Sequence, residues 1–480
     1  MAKFSRRELL TAAGVATGVA LAPGLTSCSS TGDEKSISVL TLQDPFFYAV
    51  QELLPQFEKE SGISVRFEGI DYNTLNSRAT NSFMGKLSDI DVISPDSMWL
   101  SRFANNDWLQ PLDDLIRRDA DEVDIDDFIP SALHSLSEWG GHLYTLPVAT
   151  YGTGVLYRPN VFDDLGLEAP PAEPDPNWTW EAYLAAIEKI TGQEHQGTQL
   201  HGTTVLGSGP QPITHMWSQI PASMGARWVQ AFPDAEVWDF TPTFTSEPMI
   251  NSLQFYDDLY RNSPPAAINN IWFDAGVQFG AGGIGMMYHW TPYAYLIQRT
   301  EYMGDQESKI GSDYAMAALP QQPGADQVVN IGGYAFGIGA NSAKTEAAWS
   351  FIKWVTSAET QRQMALLDTR QFADFGRTSL YDDDELVDAY PWLPAQLKVI
   401  DQGDGKAVRP PTLNYAELEQ VIGTELNRML AAKVPAEESA GIIDGEVRQI
   451  MEDEMFIPWE GKSFHDTLES TQQLITSLTA

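Results

Sequence analysis

The sequence predicts an α/β fold containing a parallel sheet, and three observations carry that prediction. Strand and helix patterns alternate in the order β-α-β-α-β after residue 36, an order that sets successive strands side by side with helices packed between them. Apolar residues make up 43% of the 480 positions, enough for a packed core, which excludes global disorder. The length suits two or three domain-sized units or one two-lobed body, and no repeat with the roughly 20- to 50-residue period of a solenoid or propeller occurs.

Residues 37–42 are a short β-branched and apolar run, the pattern of a buried strand. Val50, Leu53, Leu54 and Phe57 then fall on one helix face, and Gly62 ends that helix. Ile63, Val65 and Phe67 alternate as a half-buried strand does, and a polar helical stretch leads to a third strand at 90–93. Ligands of such sheets sit beyond the carboxyl ends of the strands, here residues 43–46 and 94–99. Residues 169–176 form a proline-rich loop, and Thr179 is placed to cap a helix opening near Trp180. Residues 253–260 and 348–355 carry helical spacing, whereas 276–290 is Gly-rich and then apolar. The acids 382–385 read as a helix start, where carboxylates suit the dipole, in preference to a metal site. From Phe456 the chain reads as a polar extension with a weak helical pattern.

The charge balance excludes one class of partner. Lys and Arg total 29 against 66 Asp and Glu, a formal net charge of -37 with no basic stripe. Nucleic acid, which needs its phosphates neutralised, is therefore not an expected partner. The single cysteine rules out an intramolecular disulfide. It lies at the end of an N-terminal pattern with Lys3, Arg6 and Arg7 ahead of the apolar, Ala/Gly-rich residues 9–25. That stretch is weakly hydrophobic and broken by Pro23, so it reads as a secretory signal and not as a membrane span. Ser5-Arg6-Arg7-Glu8-Leu9-Leu10 resembles the twin-arginine export motif, with a chance Arg pair on an ordinary signal as the other reading. Leu25-Thr26-Ser27-Cys28 looks like a lipobox. Cleavage before Cys28 exposes a thiol for lipidation, and residues 29–36 become a small, polar tether. The chain is then expected outside the membrane and anchored to it, in a periplasm or on an outer cell surface.

Catalytic and cofactor signatures are largely missing. Residues 280–285 fit GxGxxG, but they run into the strand-like Met286-Met287-Tyr288 where a dinucleotide site needs a helix N-terminus. No phosphate loop, HExxH or GxSxG is present, and the seven histidines are scattered. The acids at 119–127 lack the glycine of a calcium loop. No metal or cofactor is expected.

One ordered set of segments resembles the family 1 extracellular solute-binding proteins, the ligand-capturing components of ABC importers for sugars and related solutes. Its most specific part is residues 147–158 (PVATYGTGVLYR), followed by Phe162, with Arg158 where Asn or Asp is usual. Residues 91–93 with 108–112, 252–260, 285–290, 332–338, 346–352, 409–415 and 426–451 match the family in order. The resemblance implies a two-lobed periplasmic-binding-protein-like α/β fold of the class II type, with ligand in a cleft between lobes joined by hinge crossings. Crossings near Ala149, Leu319 and Leu367 divide the chain into 1–28 signal, 29–36 tether, 37–149 with 320–367 as lobe 1, 150–319 with 368–455 as lobe 2, and 456–480 as an extension.

The same resemblance implies capture of a sugar or polyol by lobe closure and delivery to the transmembrane subunits of an ABC permease, by a monomer that is not an enzyme. Such a ligand has apolar C–H faces and a polar rim, so aromatic plates and hydrogen-bonding side chains suit it. Trp290 ends a strand beside the expected cleft and is the first candidate plate, with Trp99 and Tyr151 as others. Asp44 and Asp96 follow parallel strands as acceptors, and Arg409 is a donor. Gly332 and Gly333 are expected to let backbone approach the ligand beside Tyr334, and Trp217 and Trp228 to line the second lobe. Two other readings stay open: a lipid-anchored polysaccharide hydrolase using a carboxylate pair, and a sensory binding protein feeding a signalling partner.

Overall fold

The computed structural model describes residues 35–232, 239–300, 302–304, 306–323, 328–367, 372–452 and 467–479. The signal, lipobox and most of the tether lie outside these. The strands that build the sheet are β1 (Ser36–Leu42), β2 (Ser64–Ile70), β3 (Val92–Ile93), β4 (Thr145–Tyr157), β5 (Met286–Trp290), β6 (Ala315–Ala317) and β7 (Ile331–Ile338). β1 pairs in parallel with β2 on one side and β3 on the other, as the alternating pattern requires. The crossovers are helix α1 (Pro45–Ser61), closed by Gly62 in the left-handed conformation, and helix α2 (Tyr72–Met84), capped by Asp71.

The long strand β4 joins two halves of the sheet. Its residues 145–152 pair antiparallel with β7, which in turn pairs with β3. From Thr153 onward it pairs instead with β5 and β6. The strand order is therefore β5-β4-β7-β3-β1-β2, with β6 also on β4. The expected crossing at Ala149 falls inside this continuous strand, three residues before its partners change.

Sequence expectations at helix starts hold. Thr179 accepts the Ala182 N–H, and Asp383 caps the helix Asp384–Ala389 by accepting from Glu385 and Leu386. Arg158, the departure from the family pattern, is buried. Its Nε donates to Asp313 at 3.1 Å and its Nη1 to the Gly282 carbonyl at 2.8 Å. The GxGxxG stretch is thus a turn that feeds β5 and accepts a bond from Arg158.

Two placements add contacts that the expected division did not include. Arg377, assigned from sequence to the second lobe, donates to the Val123 and Thr356 carbonyls and stacks 4.0 Å above Phe128, all in segments assigned to the first. The C-terminal extension contains a helix, Leu468–Thr479, whose Thr471, Ile475 and Leu478 are buried against the helix Pro130–Leu136 and its neighbours. Those three positions lie on one face at i, i+4, i+7, a stripe too short to register strongly in sequence.

Candidate functional site

The carboxyl ends of β1 and β3 meet β4, β5 and β7 around a cavity of about 280 Å³. Asp44 follows β1 at the N-cap position of α1, but its side chain makes no capping bond. Pro45 already sets the first helical turn without an N–H to satisfy, so the Asp44 carboxylate faces the cavity and accepts from the Tyr334 hydroxyl. Asp96 follows β3 and accepts the Met98 N–H at 2.8 Å, which fixes the turn carrying Trp99. Trp290 is the last residue of β5 and Tyr151 sits opposite Gly332 in the β4–β7 ladder.

Nine of the residues singled out from sequence line this cavity: Asp44, Asp96, Trp99, Tyr151, Trp290, Gly332, Gly333, Tyr334 and Arg409. Trp217 and Trp228 do not. Trp217 is fully buried against Trp228 and Phe244, and Trp228 stacks on Tyr415 at 5.9 Å. They are core behind the wall, since their helix and loop turn these faces inward. Gly332 and Gly333 also serve packing within the protein. A Cβ at Gly332 would stand 2.5 Å from the Tyr151 ring, and one at Gly333 would stand 2.2 Å from the Ala149 carbonyl oxygen. Their missing side chains make room for the protein's own aromatic plate and backbone.

The plates form a connected wall. Tyr151 meets Trp290 edge-on at 5.4 Å and Tyr334 at 6.2 Å, while Tyr334 stacks on Phe46 at 4.1 Å. On the other side Trp99 packs on Tyr72 at 4.6 Å. Tyr72, His215, Trp272, Phe273 and Tyr293 also line the cavity and were not anticipated. Trp272 and Phe273 open the helix Trp272–Gly280, and no reading of the sequence marked that helix start. His215 sits within a helix that is buried nearly all round, Pro210–Ser223, and had no sequence signal either.

Electrostatics divides the cavity into acceptors and a single guanidinium. Burial pushes Asp44 up to about 6, against a lowering by the Tyr334 hydroxyl. Burial also holds the Tyr151 and Tyr334 hydroxyls above their ordinary values, so both remain protonated. Arg409 is 1% exposed. Its Nε donates to Asn330 Oδ1 at 3.0 Å, its Nη2 to the Ile331 carbonyl at 3.1 Å, and it lies 5.8 Å from the Trp290 ring. Among the described residues its Nη1 has no hydrogen-bond partner and no carboxylate pairs with it within 4.0 Å. Behind it His215 Nε2 contacts Glu419, with burial raising Glu419 to about 8 and lowering His215 well below its ordinary value. Both directions favour a neutral pair, which leaves the charge of Arg409 uncompensated by Glu419.

A model of the bacterial extracellular solute-binding proteins matches residues 42–362. The chain belongs to that family. The mannitol-binding protein of Pseudomonas aeruginosa is 23% identical over 418 residues, covering 85% of this chain and 90% of that one. The "Probable amino-acid ABC transporter periplasmic-binding protein" of Sinorhizobium fredii is 24% identical over 433 residues, covering 88% and 91%. Among solved structures, an ABC transporter solute-binding protein of Agrobacterium radiobacter K84 in complex with ribitol superposes with a TM-score of 0.75 at 26% identity, covering 86% of this chain and 98% of that one. The described fold matches the two-lobed α/β fold of these binding proteins.

Proposed function

We propose that this solute-binding protein captures one sugar or polyol molecule in the cleft by lobe closure and presents it to the transmembrane subunits of an ABC permease. The observation that supports this most is the convergence in one cavity of acceptors (Asp44, Asp96), a donor (Arg409) and aromatic faces (Trp290, Tyr151, Trp99). Carboxylates and a guanidinium bond hydroxyls on a rim, and aromatic rings cover C–H faces. A volume of about 280 Å³ stands at the low end of the roughly 300–1,000 Å³ of small-molecule sites, which favours a single small solute over an oligosaccharide. Closure follows only from contacts that the solute makes with both lobes at once. On this reading the protein is a monomer, exported and lipid-anchored through Cys28 on the outer side of the membrane.

Calorimetric titration with ribitol, D-mannitol, monosaccharides and amino acids tests the proposal. Saturable binding of a polyol or sugar that is recovered unchanged is the expected result. Binding of amino acids alone, or turnover of an oligosaccharide, would refute it. Cys28→Ser tests the anchor separately, by moving the exported protein from the membrane fraction to the soluble one.

A further inference from the structure

The C-terminal helix makes a contact that solute capture, as described, does not use. Ile475 and Leu478 need only packing, but Thr471 is polar and fully buried. Its Oγ1 lies 3.0 Å from His134 Nδ1, and His134, 0% exposed, has its Nε2 at ion-pair distance, 3.4 Å, from Asp404 Oδ1 without a hydrogen bond between them. Asp404 accepts the Ala407 N–H at 2.9 Å and so caps the single helical turn Gly405–Val408. The residue after that turn is Arg409, which leaves in an extended conformation for the cavity. The stretch around His134 grips the same turn twice more: Ser135 Oγ accepts the Gly405 N–H at 3.0 Å, and Glu138 pairs with Lys406 at 2.7 Å.

We infer that the C-terminal helix is a strut for the solute cavity, with Thr471, His134 and Asp404 as positioning residues that fix the turn delivering Arg409. The inference rests on the reading that Arg409 contacts the solute. Its physical basis is that one helical turn is not stable alone and keeps its geometry only through its caps and packing. A buried imidazole and hydroxyl are also costly to desolvate, and apolar residues would pack the helix without that cost. Arg409 ends a long side chain, so a small rotation of the turn displaces the guanidinium from its bonds to Asn330 and Ile331.

Two measurements on the purified protein test it. Hydrogen exchange reads the turn with no solute present. Thr471→Val, which keeps the volume and removes the hydroxyl, and His134→Gln should each speed exchange of the amides at 405–409 about tenfold, the effect of losing one buried hydrogen bond. Thr471→Ser should match the wild type, and the helix Tyr415–Ala432 should be unaffected. Titration with ribitol and D-mannitol then reads the function. Each variant should weaken binding about fivefold and add nothing in an Arg409→Lys background, because positions acting through one group are not additive. Unchanged exchange at 405–409, or losses that add to that of Arg409→Lys, would overturn the inference. If the wild type takes neither polyol, the same titration uses the sugar that it binds; if it binds no sugar or polyol, the solute reading fails, and the exchange result alone decides whether the helix holds the turn.

Discussion

Asp374 is a buried acid bonded to Tyr295, in the short helix whose Tyr293 and Leu296 line the cavity, and its neutralisation should stabilise the protein in a pH-dependent way. The side chain is 3% exposed, accepts from the Tyr295 hydroxyl and from Gln396 Nε2, both at 2.7 Å, and has no cation paired with it within 4.0 Å among the described residues. Burial raises it from 3.8 to about 7, with the two hydrogen bonds opposing. The folded state therefore holds this proton more tightly than the unfolded state does. Its contribution to stability is fully present below 3.8 and is lost as pH rises through about 7. The whole difference corresponds to about 4 kcal/mol, and the part between about pH 5 and about pH 8 to about 3 kcal/mol. Asp374→Asn removes the charge, keeps an oxygen for Gln396, and offers an N–H that the Tyr295 hydroxyl accepts. At a specific unfolding entropy of roughly 2 cal/mol/K per residue, a chain of this length moves about 1 °C per kcal/mol. Scanning calorimetry should thus show the melting temperature of D374N gaining about 3 °C on the wild type between about pH 5 and about pH 8. A gap that stays constant across that range, or that narrows, would refute the reasoning.

Three further outcomes separate site from scaffold. Trp290→Ala should weaken polyol binding about tenfold or more by removing a plate, whereas Trp217→Ala should lower stability by about 3–5 kcal/mol and leave the dissociation constant of the folded protein within about twofold. Calorimetric titration and chemical denaturation of both variants check this pair. Arg158→Asn, although it restores the residue usual in the family, should destabilise by about 3 kcal/mol because it leaves Asp313 without its cation; equal denaturation midpoints would rule that out. Gln211 Nε2 donates to Asn73 Oδ1 at 3.0 Å, tying the helix that carries His215 to the helix that carries Tyr72. Asn73→Ala should weaken solute binding about twofold, the worth of one exposed hydrogen bond, and a tenfold loss would mean that Asn73 contacts the solute.

Much of the first half of the fold was legible because local rules and tertiary packing agree there. Strand β1, α1 with its Gly62 stop, β2 and β3 appear where period-2 and period-3.6 patterns put them. The ends of parallel strands then point to Asp44, Asp96 and Trp99. The family resemblance, and not periodicity, supplied Trp290, Tyr151, Tyr334 and Arg409. What failed was the environment of aromatics away from strand ends. Trp217 lies in a helix buried almost all round, where no amphipathic stripe says which side faces a cavity.

What the sequence determined by itself was the order of the first strands and helices, the excess of acidic over basic residues and the family, because each is written in neighbouring residues. Tertiary structure alone decided which side chains share the cavity. Leu42 and Arg409 meet there from opposite ends of the chain, and only folding brings such positions together. It alone showed that Gly332 gives way to Tyr151, that Arg158 is neutralised by Asp313, and that a helix near the C-terminus reaches His134. Those are contacts between distant segments, set by shape, burial and the pairing of buried polar groups, for which a single sequence carries no spacing rule.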